Sequence, residues 1–239
     1  MDIKIKWGII GLGRIAHKFA SDLLLVENAV IYGVASRSEA KAKEFGDQYN
    51  AISYYDSYEA LVKDPEIDVV YIATPHVFHC ENTLLCLDHD KAVLCEKPMG
   101  MNTREVNRVR EKAVAKNLFL MEGIWTRFIP VTEKLVDLLE QKCIGDLLFV
   151  HADFGFKAEV DLQGRLFNKK LGGGALLDIG IYPIYLSLLL LGIPDTIKAV
   201  ARMTSTDVDS YIAMLFDHHQ GAKAMLEATI EAHTPTEAM

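Results

Sequence analysis

The chain has 239 residues, half of them hydrophobic and about a quarter charged, the balance of a globular protein and not of a disordered or fibrous one. Thirty-three acidic against 25 basic side chains give a formal charge of -8, without a run of like charge or a basic stripe, which argues against nucleic-acid partners. A chain this long suits two domains and buries roughly 70–75% of its extended surface, so it needs no disulfide or metal to fold.

Ile3 to Ile10 reads as a buried strand, followed at once by Gly11-Leu12-Gly13-Arg14-Ile15-Ala16 and a run with helical spacing from His17 to Leu24. Strand, tight glycine turn and helix in this order form a pyrophosphate-binding unit. Gly11 permits the turn, Gly13 lets the backbone approach the phosphates, and small Ala16 lets the helix pack on the strand, with Arg14 and Ile15 opening the helix N-terminus on which the phosphates would sit. A second strand, Ala29 to Ala35, ends at Ser36-Arg37-Ser38, and a charged helix runs from about Glu39 to Tyr49. An acid at the end of that strand would grip the ribose 2′-hydroxyl of NAD, whereas Arg37 suits the 2′-phosphate of NADP, with Ser36 and Ser38 adding hydroxyls. NADP is therefore expected over NAD. The competing reading makes Arg37 a solvated loop charge and gives the ribose to Glu39.

Two more apolar strands, Val69 to Ala73 and Ala92 to Cys95, each precede a polar turn and a helix, as a doubly wound parallel sheet requires. The first ends in Thr74-Pro75-His76-Val77-Phe78-His79, beside the expected crevice, where Thr74, His76 and His79 are expected as polar groups near the ribose. The spacing of His76 and His79 invites a metal, but no third ligand converges, so no metal is assigned. The second ends in Glu96-Lys97-Pro98, which brings Lys97 to the carboxyl edge of the sheet. Burial there would lower its pKa and make it a usable proton acceptor. A fifth strand is expected at Leu118 to Met121, and the alternation stops near Glu122, so residues 1–122 form a Rossmann domain and 123–239 a second, α+β domain.

That second half reads as a helix from about Val131 to Gln141, a strand from Leu147 to Phe154, a glycine-rich loop into an apolar helix from Leu171 to Leu191, and strands at Ile197 to Met203, Asp209 to Phe216 and Ala222 to Ala232. The sheet is expected to be mainly antiparallel and incomplete, its last strand leaving an uncovered edge. In Gly172-Gly173-Gly174-Ala175-Leu176-Leu177-Asp178-Ile179-Gly180-Ile181-Tyr182, the glycines allow close approach to a ligand, and Asp178 and Tyr182 share a helix face. Pro183 works against an undisturbed helix, and an ordinary core helix with one buried Asp and one Tyr fits equally well. Ile179 to Leu191 is interrupted by Gly180 and Pro183 and reads as too short to span a bilayer. The four cysteines, Cys80, Cys86, Cys95 and Cys143, contain no C-x-x-C pair, and the N-terminus lacks a signal-peptide pattern, so a cytoplasmic protein is expected.

Taken together, the Gly11–Ala16 turn, Glu96-Lys97-Pro98 and Gly172 to Tyr182 resemble the Gfo/Idh/MocA oxidoreductase family across essentially the whole chain. The segment from Met121 to Pro130, which holds Trp125 and Arg127, is most similar to the branch of dihydrodiol and D-xylose dehydrogenases. The resemblance implies a catalytic role for Lys97 and places Asp178 and Tyr182 at the family's Asp and terminal His positions. Tyr182 in place of His points away from cyclitols and toward diols and aldoses. It also implies a homodimer through the C-terminal sheet, which family members complete with roughly another hundred residues, so the chain reads as shortened. The expected activity is hydride transfer between NADP and a secondary alcohol or hemiacetal carbon of a polyhydroxy substrate. Lys97 and Tyr182 would handle the proton, Asp178 would orient the hydroxyl or the lysine, and Trp125 and Arg127 would line the approach. The rival is a non-catalytic dinucleotide-binding sensor.

Overall fold

The structure is a computed structural model that describes residues 4–239, so the expected start of the first strand at Ile3 lies outside the described residues. The chain divides into two compact units, one reaching Gly123 and the other running from Ile124 to Met239.

The first unit is a six-stranded sheet in the order β3-β2-β1-β4-β5-β6, every neighbouring pair parallel. Its strands are β1 (Ile5–Ile10), β2 (Ala29–Ala35), β3 (Ser53–Tyr55), β4 (Val69–Ile72), β5 (Ala92–Cys95) and β6 (Leu120–Glu122). Between them run α1 (Arg14–Leu23), α2 (Glu39–Tyr49), α3 (Tyr58–Lys63), α4 (His79–Asp88) and α5 (Thr103–Lys116). A sheet covered on both faces needs strands apolar on both sides, and β4, Val-Val-Tyr-Ile, is buried at all four positions. Ile9, Ala16, Val34, Phe45 and Tyr71 fill one layer, and Leu61, Ile72, Leu87 and Val93 fill the other. Each such buried aliphatic or aromatic side chain contributes about 1.5–3 kcal/mol relative to exposure. Side-chain oxygens of Ser38, Ser57 and Asn102 cap α2, α3 and α5, and left-handed Asn50 and Asn117 end α2 and α5. The strand order reverses direction between β1 and β4, which makes the carboxyl ends of these strands the switch point where open α/β sheets bind ligands.

The second unit contains α6 (Pro130–Glu140), β7 (Phe149–Gly155), a π-helical turn at Leu176–Gly180, α7 (Ile181–Leu191), β8 (Thr196–Met203), β9 (Asp209–Asp217) and β10 (Lys223–Thr229). Its sheet has the order β7-β10-β9-β8, with β7 and β10 parallel and the other two pairs antiparallel. Two of the three pairings thus follow the expected antiparallel pattern. The last strand, expected at the edge, is instead central, and the residues after it return along β7, where His151 and Met239 exchange two main-chain hydrogen bonds of 2.8 Å. Inward residues Ile212, Met214, Phe216, Ala224, Leu226 and Ala228 alternate with outward ones, and the helical run packs Ile179, Leu176, Ile184 and Leu190 on that inner face. The run Lys169–Leu191, which begins ten residues before the Ile179–Leu191 stretch read from the sequence, has 23 residues and is by length and composition enough to cross a bilayer. In this fold its apolar side chains serve the core of the second unit.

Candidate active site

At the end of β1, Gly11 has φ +83°, and a Cβ there would lie 2.5 Å from the main chain of Ala73 and Thr74. Glycine is therefore required because the chain leaving β1 lies close against the chain leaving the parallel strand β4, independently of any ligand. Gly13 is different: its φ is -95°, and a Cβ would meet nothing within 4 Å. Gly13 stands at the N-cap of α1 without a side-chain cap, so no capping side chain takes up the first-turn N–H groups. An uncapped ten-residue helix behind an open glycine fits a pyrophosphate. At the end of β2, Arg37 is exposed and Ser36 half-buried, and Ser38 is committed as the cap of α2, its Oγ accepting from Lys41 N. Glu39 lies in the first turn of α2.

The T-P-H-V-F-H segment forms a 3-10 turn, His76–Phe78, leading into α4. Thr74 is buried, with its Oγ1 accepting from Asn82 Nδ2 at 3.0 Å. His76 is 5% exposed and His79 fully buried. His79 Nδ1 lies 2.6 Å from the carbonyl oxygen of Pro98, and Nε2 lies 2.7 Å from that of Thr74. With both ring nitrogens held by main-chain carbonyls inside the protein, His79 has no atom to offer a ribose. Its expected cofactor contact is corrected to a brace that joins the β4 and β5 ends. Glu96 is similarly occupied, accepting from Tyr71 Oη and from Lys97 N. Lys97 follows β5 directly, is half-buried, and precedes Pro98 through a cis peptide.

Glu122, at the end of β6, was not singled out by sequence; its Oε1 accepts from Met99 N at 2.6 Å. Burial pushes its carboxyl above the ordinary range, against the lowering effect of the Met99 N–H. Because the folded-state pKa exceeds the unfolded one, the folded chain binds more protons between the two. Stability is therefore lost as pH rises through that interval, and the loss is complete above the folded value. Glu122→Gln keeps an oxygen for Met99 N and removes the charge. It is expected to raise Tm at neutral pH, the gain shrinking as pH falls into the ordinary carboxylate range, as thermal unfolding at the two pH values will show.

In the second unit, the π-turn carries Asp178 and the first turn of α7 carries Tyr182. Pro183 sits in that first turn, where a missing N–H is tolerated, and the widened π-turn just before it accommodates the helix that Pro183 had put in doubt. Asp178 is 6% exposed, and its two oxygens accept from the terminal nitrogens of Arg165 at 2.6 and 3.2 Å. Tyr182 is half-buried; its ring lies 5.6 Å from that of Phe154, and its Oη accepts from Trp125 Nε1 at 3.4 Å. Trp125 and Arg127 share a 3-10 turn, Trp125–Phe128, and both are exposed. The fold thus brings Trp125 to Tyr182.

The glycine run also has a different use from the expected one. A Cβ at Gly173 would lie 2.5 Å from the Leu166 carbonyl oxygen, and one at Gly174, with φ +117°, would lie 2.2 Å from Asp209 Oδ1. These glycines admit the chain's own backbone and the Asp209 carboxylate, not a ligand. Asp209 Oδ2 accepts from Leu176 N at 2.6 Å and so caps the π-turn. Burial pushes its carboxyl up, opposed by the N–H groups of Leu176 and Ala175. Arg165 and Asp209 were invisible to sequence reading because each is separated from its partner by a long stretch of chain and lies in no motif. Among the described residues, no group of three or more His, Cys, Asp or Glu side chains could hold a metal ion.

A doubly wound parallel sheet with an open glycine at its switch point, followed by a mixed-sheet domain, is the architecture of a two-domain dinucleotide-binding protein. The chain belongs to the GFO/IDH/MocA family: residues 5–124 match the oxidoreductase family with an NAD-binding Rossmann fold, and residues 132–238 match the GFO/IDH/MocA C-terminal domain. It is 40% identical over 238 residues to trans-1,2-dihydrobenzene-1,2-diol dehydrogenase of Xenopus tropicalis, covering 98% of this chain and 71% of that one. The mouse enzyme of the same name is also 40% identical, over 239 residues, with 98% and 71% covered. Among solved structures, KijD10, a 3-ketoreductase from Actinomadura kijaniata in complex with NADP and TDP-benzene, superimposes with a TM-score of 0.89 at 30% identity, covering 97% of this chain and 72% of that one. Aldose-aldose oxidoreductase from Caulobacter crescentus, complexed with glycerol, gives 0.89 at 26% identity, with 96% and 72% covered.

Proposed function

We propose that this protein is an NADP-dependent dehydrogenase of secondary alcohol or hemiacetal carbons in diol or aldose-type substrates. The observation that carries the reading is that the open Gly13 turn and Lys97 both follow strands that end at the same, carboxyl edge of the parallel sheet, β1 and β5. The 40% identity to diol dehydrogenases supports the substrate class, and the NADP bound in KijD10 supports the cofactor. Gly11, Gly13, Arg14, Ile15, Ser36, Arg37, Thr74, His76, Glu96 and Lys97 are the proposed cofactor-side residues, and Trp125 and Arg127 the proposed substrate contacts.

When bound, nicotinamide supplies a hydride acceptor at C4. The chain's own task is then the hydroxyl proton, which must leave as the carbon is oxidised. Lys97 and Tyr182 are proposed to receive it, directly or by relay. Trp125 Nε1, donating to the Tyr182 phenol oxygen, helps to position it. Asp178, an acceptor held in place by Arg165, is proposed to orient the substrate hydroxyl. We further propose a cytosolic homodimer: Phe149, Met225, Leu215 and Val200 are exposed on the outer face of the second sheet, interspersed with Lys198, Asp217, Lys223 and Glu227.

Mixing the chain with NADP and, separately, NAD against trans-vicinal diols, aldopyranoses and inositols tests the substrate class, with reduction expected for diols or aldoses and not for inositols. Arg37→Ala tests the cofactor: it is expected to weaken NADPH binding by about 10–100-fold, the worth of a lost charge-assisted pair, and to leave NADH binding unchanged. Equal effects on both cofactors in fluorescence titration would assign the ribose end to Glu39 instead.

A further inference from the structure

We propose that Arg165 is a positioning residue for the reaction, a clamp that fixes the Asp178 carboxylate from a loop with no motif of its own. The inference rests on the reading that Asp178 acts on the reacting hydroxyl. The Asp178 side chain is 8% exposed, while that of Arg165 is 46% exposed. A desolvated carboxylate opposite a half-solvated guanidinium gains its counter-charge without burial of the second ion, which avoids most of the desolvation cost of a buried pair. The pairing uses both terminal nitrogens and both carboxylate oxygens, at 2.6 and 3.2 Å. Such a fork fixes the carboxylate plane as well as its position, which one ammonium cannot do.

The local chain is built to hold that fork. Phe167, two residues on, is anchored at 5% exposure in the core of the second unit. Gly174 N donates to the Leu166 carbonyl at 2.9 Å, and Gly173 N to that of Asn168 at 3.1 Å. A Cβ at Gly173 would lie 2.8 Å from the Arg165 carbonyl oxygen and 2.5 Å from that of Leu166, so only glycine lets the Arg165 segment lie against the run that leads to Asp178. Asp209, bonded to Leu176 N at 2.6 Å, fixes the other end of the same turn. Loop, glycine run and π-turn form one rigid unit whose product is the orientation of one carboxylate.

The test compares Asp178→Asn, Arg165→Met, Arg165→Lys and the double variant Arg165→Met with Asp178→Asn, reading kcat, substrate KM and NADPH affinity on the whole chain. Misplacing a reacting group costs up to about 10²-fold, so Arg165→Met is expected to lower kcat by about 10–100-fold with NADPH affinity and substrate KM little changed. Arg165→Lys, which keeps the charge but not the fork, is expected to recover part of that loss. The double variant is expected to be no slower than Asp178→Asn alone, since the clamp has nothing left to hold. Should Arg165→Met fail to fold, the Lys variant with and without Asp178→Asn gives the same cycle. An impaired Asp178→Asn beside a wild-type kcat in Arg165→Met and Arg165→Lys, or additive losses in the cycle, would overturn the clamp alone. A wild-type kcat in Asp178→Asn would overturn the reading of Asp178 and the clamp with it.

Discussion

Lys97→Met is expected to lower turnover by about 10³-fold, the range of a lost proton-transfer group, while leaving NADPH affinity almost unchanged. Methionine retains an unbranched stem in a half-buried site and removes only the side-chain amino group. The loop that carries it does not depend on the side chain, because Glu96 accepts from the main-chain N of Lys97 and His79 holds the Pro98 carbonyl at 2.6 Å. Steady-state kinetics with a diol or aldose, beside a fluorescence titration with NADPH, separate the two quantities. Equal losses in turnover and affinity would make Lys97 a binding group and leave the proton to Tyr182.

Gly11→Ala and Gly13→Ala are expected to fail in opposite ways, although both glycines belong to one turn. At Gly11 an added methyl falls 2.5 Å from the main chain of Ala73 and Thr74, at φ +83°. Backbone atoms of a buried strand end cannot give way, so a cost of at least about 3 kcal/mol is expected, a fall in Tm of roughly 6–12 °C. At Gly13 the methyl meets nothing within 4 Å. Stability should therefore stay within about 0.5 kcal/mol of wild type, whereas NADPH affinity should fall about 10–100-fold as the methyl fills the space the phosphates approach. Thermal unfolding and NADPH titration of the two variants check both halves. An unchanged NADPH affinity in Gly13→Ala would mean that the open space in front of α1 does not hold the pyrophosphate.

What could be read from the sequence was carried by residues whose meaning is local. The Gly11–Ala16 turn follows its strand and precedes its helix within one stretch of chain, and Glu96-Lys97-Pro98 ends a strand that four apolar residues announce. Short elements were missed: β3 has three residues and α3 six, too few for a period to register. The place of β10 was misread because strand order depends on which neighbours a strand finds, and β10 finds β7 and β9. The largest gap is in the site. Arg165 meets Asp178 across a loop, and Asp209 meets Leu176 across the helix α7 and the strand β8, so only the folded geometry reveals either. His79 shows the reverse error. Its position in the T-P-H-V-F-H segment suggested a ribose contact, whereas full burial between two carbonyls makes it a brace. Glycines 173 and 174 were assigned to a ligand and serve the chain itself, because sequence marks where backbone must come close without saying what comes.

The most direct test of the central claim follows the hydride itself. A trans-diol or aldose carrying deuterium on the carbon to be oxidised is incubated with NADP and the purified chain, and the reduced cofactor is weighed by mass spectrometry. Hydride transfer predicts that NADPH accumulates at 340 nm and carries the deuterium, a mass increase of about one unit, since the carbon-bound hydrogen passes directly to the cofactor. No reduced cofactor from any diol or aldose, in a sample that still binds NADPH by fluorescence, would contradict the dehydrogenase and establish a dinucleotide-binding module in its place.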